Sequence, residues 1–248
     1  MNRYSQRIDK KCEPTPDPDA GLGEAATILL SGGLDSSVLL HYMAKRLGCR
    51  PIFALSFVYG QRHVRELTAA RQQVASLGEA VAEHLFLDIS FLGGMVAGVS
   101  ALAAHGLAVP DLEAIPEGER DQPPTYVPNR NMILLSLAAA FAESRDCRGL
   151  YYGAQTQDEY GYWDCNQTFI ERLNSALALN RRQAVEIRAP FIRMRKSEEL
   201  RLGLELEVDF ADTWSCYRGE ERPCLVCPTC VERRIAFGEL AMADPLLT

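Results

Sequence analysis

Short apolar runs and amphipathic segments alternate along this chain of 248 residues. Continuous apolar runs of this length are typical of strands buried in a parallel sheet. They lie at residues 25–30, 50–58, 83–89 and 149–154. Apolar positions at helical spacing predict helices over residues 36–47, 64–77, 131–141 and 167–179. The third of these helices is apolar on all sides, so we expect it to be buried. The alternation predicts an α/β fold with a doubly wound parallel sheet.

Segments that show neither apolar runs nor helical spacing mark the boundaries of the predicted domains. Residues 1–24 contain three prolines among mixed charges, a composition typical of a flexible leader. Residues 25–212 carry the alternating pattern and form the predicted main domain. Within it, residues 93–128 are rich in small residues, proline and acids, which predicts a long loop that forms a lid or is disordered. Residues 213–248 form a predicted tail that holds four cysteines.

Composition narrows the range of partners and compartments. A net charge of −7 argues against a general nucleic-acid-binding surface, which would be basic. No apolar stretch approaches the roughly 20 residues that span a bilayer, and the N-terminal segment lacks the apolar centre of a secretory signal. Eight cysteines without such a signal favour a reducing compartment and metal or catalytic roles. We therefore expect a cytoplasmic protein with no membrane partner.

The sequence Ser-Gly-Gly-Leu-Asp-Ser-Ser lies between the first predicted strand and the first predicted helix. Its glycines let the backbone approach a phosphate closely, and amides at a helix start together with serine hydroxyls can hold an anion. The predicted nucleotide-binding residues are Ser31, Gly32, Gly33, Leu34, Asp35, Ser36 and Ser37. A carboxylate in an anion site suits a bound cation, so Asp35 is a candidate Mg²⁺ ligand, with a helix cap as its alternative role. The string is not a Walker loop, because no Gly-Lys-Ser/Thr follows it.

Four cysteines in the tail have seven, two and two residues between neighbours. They are Cys216, Cys224, Cys227 and Cys230. Four thiolates in so short a span suit a closed tetrahedral Zn²⁺ site with a structural role. An iron–sulfur cluster and a set of reduced cysteines without metal are the alternatives.

Isolated polar residues beside the predicted elements are further candidates. Gln61, Arg62 and His63 follow the second strand, where doubly wound sheets bind their ligands, although a solvated turn is the alternative. Arg130 begins the buried helix, where its charge opposes the helix dipole, and an anion such as phosphate would explain it. Lys196 is either a ligand for departing pyrophosphate or a surface lysine at a helix start.

Several ordered blocks of the sequence resemble the 7-cyano-7-deazaguanine synthases, a family of the PP-loop ATP pyrophosphatase superfamily. The resemblance runs from about residue 27 to residue 236. The blocks lie at residues 31–37, 57–63, 126–131, 161–165, 189–196 and 213–230. The resemblance implies a carbon–nitrogen ligase that releases AMP and pyrophosphate. Such an enzyme amidates 7-carboxy-7-deazaguanine with ammonia and then dehydrates the amide to a nitrile.

The resemblance also implies ATP, Mg²⁺ and Zn²⁺ as cofactors, a homodimer, and roles for particular residues. Asp35, Arg130 and Lys196 become the expected catalytic residues. The expected substrate-binding residues are Gln61, Arg62, His63, Tyr162, Trp163, Asp164, Asn166 and Arg218. Among these, Asp164 is suited to accept hydrogen bonds from a guanine-like edge.

Three of these residues depart from the family pattern. Trp163 replaces a proline, and we expect its indole to wall or narrow the deazapurine pocket. Asn166 replaces an arginine and cannot form a charged bidentate contact with a carboxylate. Arg218 replaces an asparagine, and we expect it to supply that charge. The departures motivate an alternative hypothesis, in which the adenylated acid is transferred to an amine of a protein or nucleic acid. Such a ligase would serve macromolecular modification or antiviral defence.

Overall fold

Five parallel strands form one sheet in the order β3-β2-β1-β4-β5. The computed structural model describes residues 23–61, 65–102, 107–117, 123–156 and 162–247. The strands are β1 (Ala26–Leu29), β2 (Ile52–Val58), β3 (Val81–Asp88), β4 (Gly149–Tyr151) and β5 (Glu186–Arg188). Because the connections run outward in both directions from β1, the strand order reverses between β1 and β4. Doubly wound sheets bind ligands at such a point, outside the carboxyl ends of the strands.

Helices cover both faces of the sheet and define two apolar cores. They are α1 (Leu34–Lys45), α2 (Arg65–Leu77), α3 (Phe91–Met95), α4 (Arg130–Ser144), α5 (Gln167–Leu177), α6 (Lys196–Glu205) and α7 (Pro228–Glu239). One core contains residues of α1, α2, α6 and α7, and the other contains residues of α4 and α5. Strand β1 serves both cores, because Ile28 packs into the first and the next residue, Leu29, packs into the second. Burial on both faces explains why β1, β2 and β4 are nearly continuous apolar runs.

The structure confirms the predicted strands and helices of the main domain, with bounds that differ by a few residues. It corrects one detail of the third predicted helix, now α4. Met132, Ser136 and Ala140 form an exposed row, so this helix is buried on one side only. The apolar pattern concealed this side because Met132 and Ala140 are themselves apolar. The sequence pattern did not identify β5 or α7, whose apolar residues are few and widely spaced, and it indicated α6 only by placing Lys196 at a helix start.

The predicted long loop is more structured than expected. Within the described parts of residues 93–128, the end of α3 and a 3₁₀ turn at Leu112–Ala114 are regular. Ala101, Leu102 and Thr125 are almost completely buried. The segment therefore packs on the main domain through scattered buried residues.

The tail packs closely on the main domain. Ala236 and Phe237 of α7 belong to the first core, beside residues of α1 and α6. The Trp214 amide donates a hydrogen bond to the Gly32 carbonyl at 3.0 Å. Arg233 is buried and forms an ion pair with Asp244 at 2.7 Å. The predicted leader lies almost entirely outside the described residues, and no described helix is long and apolar enough to cross a bilayer.

Candidate active site and cysteine cluster

The segment 31–37 turns sharply between β1 and α1, and Gly32 makes this turn possible. Gly32 has a φ of +84°, and a Cβ built on it would lie 2.0 Å from the Glu66 carbonyl oxygen and 2.6 Å from the Ala70 nitrogen. Any side chain here would overlap the backbone of α2. Gly153, just after β4, also approaches the loop, since its Cβ would lie 3.4 Å from the Ser36 backbone. The loop is therefore held between α2 and the end of β4.

The Ser36 hydroxyl organises the loop. Its Oγ accepts hydrogen bonds from the amides of Ser31 and Gly32, each at 3.2 Å, and lies 2.9 Å from the Ser31 Oγ. These contacts fix the turn that precedes α1. The Ser37 Oγ is buried and has no hydrogen-bond partner among the described residues.

A charged cluster lies beside the loop. The Lys196 Nζ is 3.4 Å from the Asp35 Oδ2 and 3.3 Å from a Glu232 carboxylate oxygen. Lys196 is buried at the first turn of α6, so the structure excludes its interpretation as a surface lysine. The other Asp35 oxygen, Oδ1, is buried and lacks a hydrogen-bond partner in the described chain. An unpaired buried carboxylate oxygen is expensive unless a ligand satisfies it, which makes Asp35 a suitable ligand for a hard cation such as Mg²⁺.

The loop borders a cavity at the carboxyl ends of β1, β2 and β4. Including its open mouth, the cavity has an empty volume of about 1070 Å³. Polar and aromatic residues of the lining are Ser31, Asp35, Ser36, Phe57, Tyr59, Glu66, Arg130, Asn131, Tyr152, Tyr162, Cys165 and Tyr217. The cavity therefore joins the loop to an aromatic region at the place where the strand order reverses.

Arg130 lies among the tyrosines of this lining. Its guanidinium carbon is 5.8 Å from the centre of the Tyr59 ring. Tyr152, Tyr162 and Tyr217 are also close enough to interact with it electrostatically. Burial raises the pKa of the Tyr59 hydroxyl to about 12, although the Arg130 charge opposes that shift. Tyr59 is therefore a neutral phenol at physiological pH.

Asp164 lies behind this lining and is only 1% exposed. Its Oδ2 accepts a hydrogen bond from the Asn131 amide at 3.2 Å, at the start of α4. Burial raises the pKa of Asp164, and the charge of Arg130 opposes this shift. Asp164 does not border the cavity. It stabilises the helix start that carries Arg130, which favours a supporting role over the predicted contact with substrate.

The four tail cysteines form one compact cluster. Their Sγ atoms all lie within 4.8 Å of one another, and those of Cys224 and Cys230 are 3.9 Å apart. In a tetrahedral zinc site with Zn–S bonds of about 2.3 Å, the sulfurs are about 3.8 Å apart. An iron–sulfur cluster, which holds several iron atoms between the sulfurs, requires wider spacing. Hydrogen bonds among these thiols lower the pKa of Cys227 and raise the pKa of Cys216 and of Cys230, which reflects how closely the sulfurs are packed.

A family model described as "Queuosine biosynthesis protein QueC" matches residues 25–241. The chain belongs to the QueC family. A curated 7-cyano-7-deazaguanine synthase from Hahella chejuensis is 42% identical over 224 residues, covering 89% of this chain and 91% of the relative. The synthase of the same name from Archaeoglobus fulgidus is 42% identical over 227 residues and covers 90% of each chain.

The fold is also similar to a solved structure outside the QueC family. The NMN synthetase from Francisella tularensis superposes with a TM-score of 0.50 at 16% identity, covering 89% of this chain and 79% of that one. This likeness concerns the fold alone. Membership of the QueC family, with curated synthases similar over about nine-tenths of the chain, indicates that the chain is an enzyme.

The positions where this QueC protein departs from the expected pattern lie outside the cavity lining. Trp163 is 45% exposed, and its Nε1 donates to the Tyr126 hydroxyl at 2.8 Å. Asn166 caps α5 by accepting a hydrogen bond from the Phe169 amide at 2.9 Å. Neither borders the cavity, so neither is placed to wall the pocket or to bind a substrate held there.

Arg218 is bound to the long loop. Its Nη2 donates to the Asp111 Oδ1 at 2.5 Å and to the Val109 carbonyl at 3.1 Å. It therefore joins the cysteine tail to the segment 107–117 and does not border the cavity. With Trp163, Asn166 and Arg218 accounted for in this way, no described residue favours the alternative of a macromolecular acceptor.

Of the four remaining predicted substrate residues, the structure describes Tyr162 and Gln61. Tyr162 borders the cavity and hydrogen-bonds Thr125 at 2.8 Å. Gln61 is buried and bonds the Tyr59 amide and the Phe57 carbonyl, so it shapes the turn after β2. Arg62 and His63 lie outside the described residues.

Sequence reasoning missed several residues that border the cavity. Tyr59 and Tyr152 follow β2 and β4 by one residue, and Glu66 lies in the first turn of α2. Asn131 and Cys165 are joined by a hydrogen bond of 3.1 Å. The position of Tyr59 and Tyr152 just beyond strand ends was a usable signal, because parallel strands present such residues at one edge of the sheet.

Proposed function

We propose that this enzyme converts 7-carboxy-7-deazaguanine into 7-cyano-7-deazaguanine, using ammonia and two molecules of ATP. The observation that carries the proposal is the match to curated 7-cyano-7-deazaguanine synthases over about nine-tenths of the chain. The loop at residues 31–37 and the cavity beside it support the same reading, because they suit a nucleotide next to an aromatic acceptor.

The first ATP overcomes the low reactivity of a carboxylate, whose charge repels nucleophiles. A carboxylate oxygen attacks the α-phosphorus of ATP, and the bond to pyrophosphate breaks. Ammonia then attacks the carbonyl carbon of the acyl adenylate and loses a proton as AMP departs, which leaves the amide. Each adenylation turns a poor leaving group into a good one, so the protein contributes positioning and charge neutralisation.

The second ATP activates the amide by the same chemistry. The amide oxygen attacks the α-phosphorus, and pyrophosphate leaves again. Loss of the two N–H protons accompanies cleavage of the carbon–oxygen bond, and AMP and the nitrile are the products. The reaction class is therefore a carbon–nitrogen ligase that forms AMP and pyrophosphate.

The loop and its charged neighbours supply the nucleotide site in this proposal. Backbone amides at the start of α1 would bind the phosphates, and Asp35, whose Oδ1 is buried without a partner in the described chain, would hold Mg²⁺. When bound, Mg²⁺ neutralises part of the phosphate charge. Lys196, adjacent to Asp35, is placed to stabilise departing pyrophosphate.

The cysteine cluster holds a structural Zn²⁺ in this proposal. All four ligands come from the protein, so no position remains for substrate. The metal ties together the segment that carries Trp214 and Tyr217, which contact the loop and the cavity respectively. A homodimer and a cytoplasmic location, which the family resemblance and the cysteine content imply, complete the proposal.

Purified protein incubated with ATP, Mg²⁺, ammonia and 7-carboxy-7-deazaguanine tests the function. We expect the amide to accumulate first and the nitrile to follow, with one pyrophosphate released for each step. Mass spectrometry identifies both products, and a pyrophosphate assay counts the turnovers. If the wild-type enzyme cleaves ATP but forms neither amide nor nitrile, the proposed acceptor is wrong.

A further inference from the structure

Arg130 is the single basic residue among the described residues that border the cavity. The two other cations expected at the site have different neighbours. Lys196 contacts Asp35 and Glu232, and Arg218 contacts Asp111. Among the described residues, no hydrogen bond or ion pair joins Arg130 to the loop at residues 31–37.

The side chains nearest to Arg130 are mostly aromatic. Tyr59, Tyr152, Tyr162 and Tyr217 border the same cavity and interact with its guanidinium. Within the described chain, no carboxylate lies within ion-pair distance of Arg130. Asp164 interacts electrostatically with Arg130, but it accepts a hydrogen bond from the Asn131 amide and does not border the cavity. The Arg130 Nε donates to the Asn131 Oδ1 at 3.2 Å, and Glu66 borders the same cavity, but no ion pair within the described chain compensates the charge of the guanidinium.

We infer that Arg130 binds the carboxylate of a planar heteroaromatic acid, whose rings lie among the tyrosines, and that it does not bind the phosphates of ATP. A guanidinium fork matches a carboxylate with two parallel hydrogen bonds, and tyrosine rings give a planar ligand flat apolar contacts. The inference rests on the proposed function, because it assigns the acceptor of that reaction to this part of the cavity. It revises the expectation that the anion near Arg130 is phosphate.

One consequence separates the two halves of the reaction. The acid carries a negative charge, whereas the amide intermediate is neutral and presents only a carbonyl oxygen to Arg130. Arg130 therefore selects the substrate of the first adenylation and contributes much less to binding of the amide. A residue that binds ATP phosphates would instead affect both adenylations equally.

Direct binding of the acid and of the amide, measured by titration calorimetry without ATP, tests the inference. For Arg130→Gln we expect the Kd of the acid to rise by about tenfold or more, the loss typical of a charged hydrogen-bonded contact. The Kd of the amide should rise by less than about threefold, because only a neutral hydrogen bond is affected. In turnover, KM for the acid should rise while KM for ATP stays near the wild-type value.

Two further variants secure the result. Arg130→Lys keeps the positive charge but loses the guanidinium fork. We therefore expect its affinity for the acid to lie between those of the wild type and of Arg130→Gln. This variant tests the inference even if Arg130→Gln folds poorly. Arg145→Gln removes a guanidinium from the other end of α4, where it pairs with Glu83, and should leave both Kd values unchanged.

The inference is wrong if Arg130→Gln binds the acid and the amide more weakly by the same factor. It is also wrong if the KM for ATP rises as much as the KM for the acid. A wild-type protein that binds no acid overturns it as well. Failure of the proposed function shows separately, as the absence of amide and nitrile in wild-type turnover. If the wild-type enzyme makes both products but Arg130→Gln loses the same affinity for the acid as for the amide, the proposed function stands and only the inference about Arg130 is wrong.

Discussion

One end of the cavity is formed by the loop of seven consecutive residues, of which Ser31, Asp35 and Ser36 border the cavity. At the other end, four tyrosines come from separate parts of the chain. The loop is held by backbone contacts: α2 presses against Gly32, and the Trp214 amide bonds the Gly32 carbonyl. The aromatic end is assembled by packing of strand ends, a loop after β4 and the cysteine tail.

The difference shows how each end responds to change. The loop tolerates almost no added volume at Gly32, because the atoms nearest to a new side chain belong to the backbone of α2, which cannot rotate away. A wall made of side chains depends on the elements that carry them being docked correctly. The cysteine tail serves both ends, since Trp214 contacts the loop and Tyr217 lines the aromatic region.

The change with the largest expected effect removes the docking of the tail and so disrupts both ends together. Cys227→Ser deletes one of four thiolates from a closed site, where structural zinc contributes on the order of 10 kcal/mol to folding. We expect loss of bound zinc and protein that is insoluble or rapidly cleaved by protease. Cys147→Ser, a buried cysteine outside the cluster, should retain the metal. One zinc per chain in Cys227→Ser at wild-type stability would contradict the four-cysteine site.

The next change is confined to the loop end. Gly32→Ala places a methyl group 2.0 Å from the Glu66 carbonyl oxygen, which the backbone of α2 cannot relieve without moving. We expect a destabilisation of about 3 kcal/mol or more, measured by denaturant unfolding, and no detectable ATP cleavage. Gly98→Ala is the matched control, because Gly98 has a φ of +81° but nothing within 4 Å of a new Cβ. Similar losses in both variants would mean that backbone strain, and not the approach of α2, explains the glycine.

A change at Asp35 should abolish most ATP cleavage without altering the conformation of the loop. Asp35→Asn keeps the shape of the side chain but removes the charge that would hold Mg²⁺ and that faces Lys196. We expect ATP cleavage to fall by about a hundredfold or more, since the phosphate charge loses its compensation, while the melting temperature changes little. Asp88→Asn, at an exposed carboxylate outside the cavity, should cleave ATP normally. Pyrophosphate release at the wild-type rate by Asp35→Asn would exclude Asp35 as the metal ligand.

The same comparison explains what the sequence could predict. The loop and the cysteine cluster are contiguous, so the residue order itself carries their geometry, and the parallel sheet follows from its apolar runs. The aromatic end depends on which strand ends become neighbours, and only the fold brings Tyr59, Tyr152 and Tyr217 together. Trp163 and Asn166 illustrate the opposite error, because their sequence neighbours Tyr162 and Cys165 border the cavity while they themselves do not.

Arg218 should give the smallest effect, and it sharpens the assignment of the aromatic end to Arg130. Its guanidinium contacts Asp111 and the Val109 carbonyl in a partly exposed ion pair, which contributes about 1 kcal/mol or less. Arg218→Ala should therefore lower the melting temperature slightly and raise KM for 7-carboxy-7-deazaguanine by less than about threefold. The loss should be matched by Asp111→Ala, which removes the other partner of the same pair. A tenfold rise in KM for the acid in Arg218→Ala alone, with KM for ATP unchanged, would show that Arg218 leaves Asp111 to bind the acid, and Arg130 would then share the substrate charge with a residue from the tail.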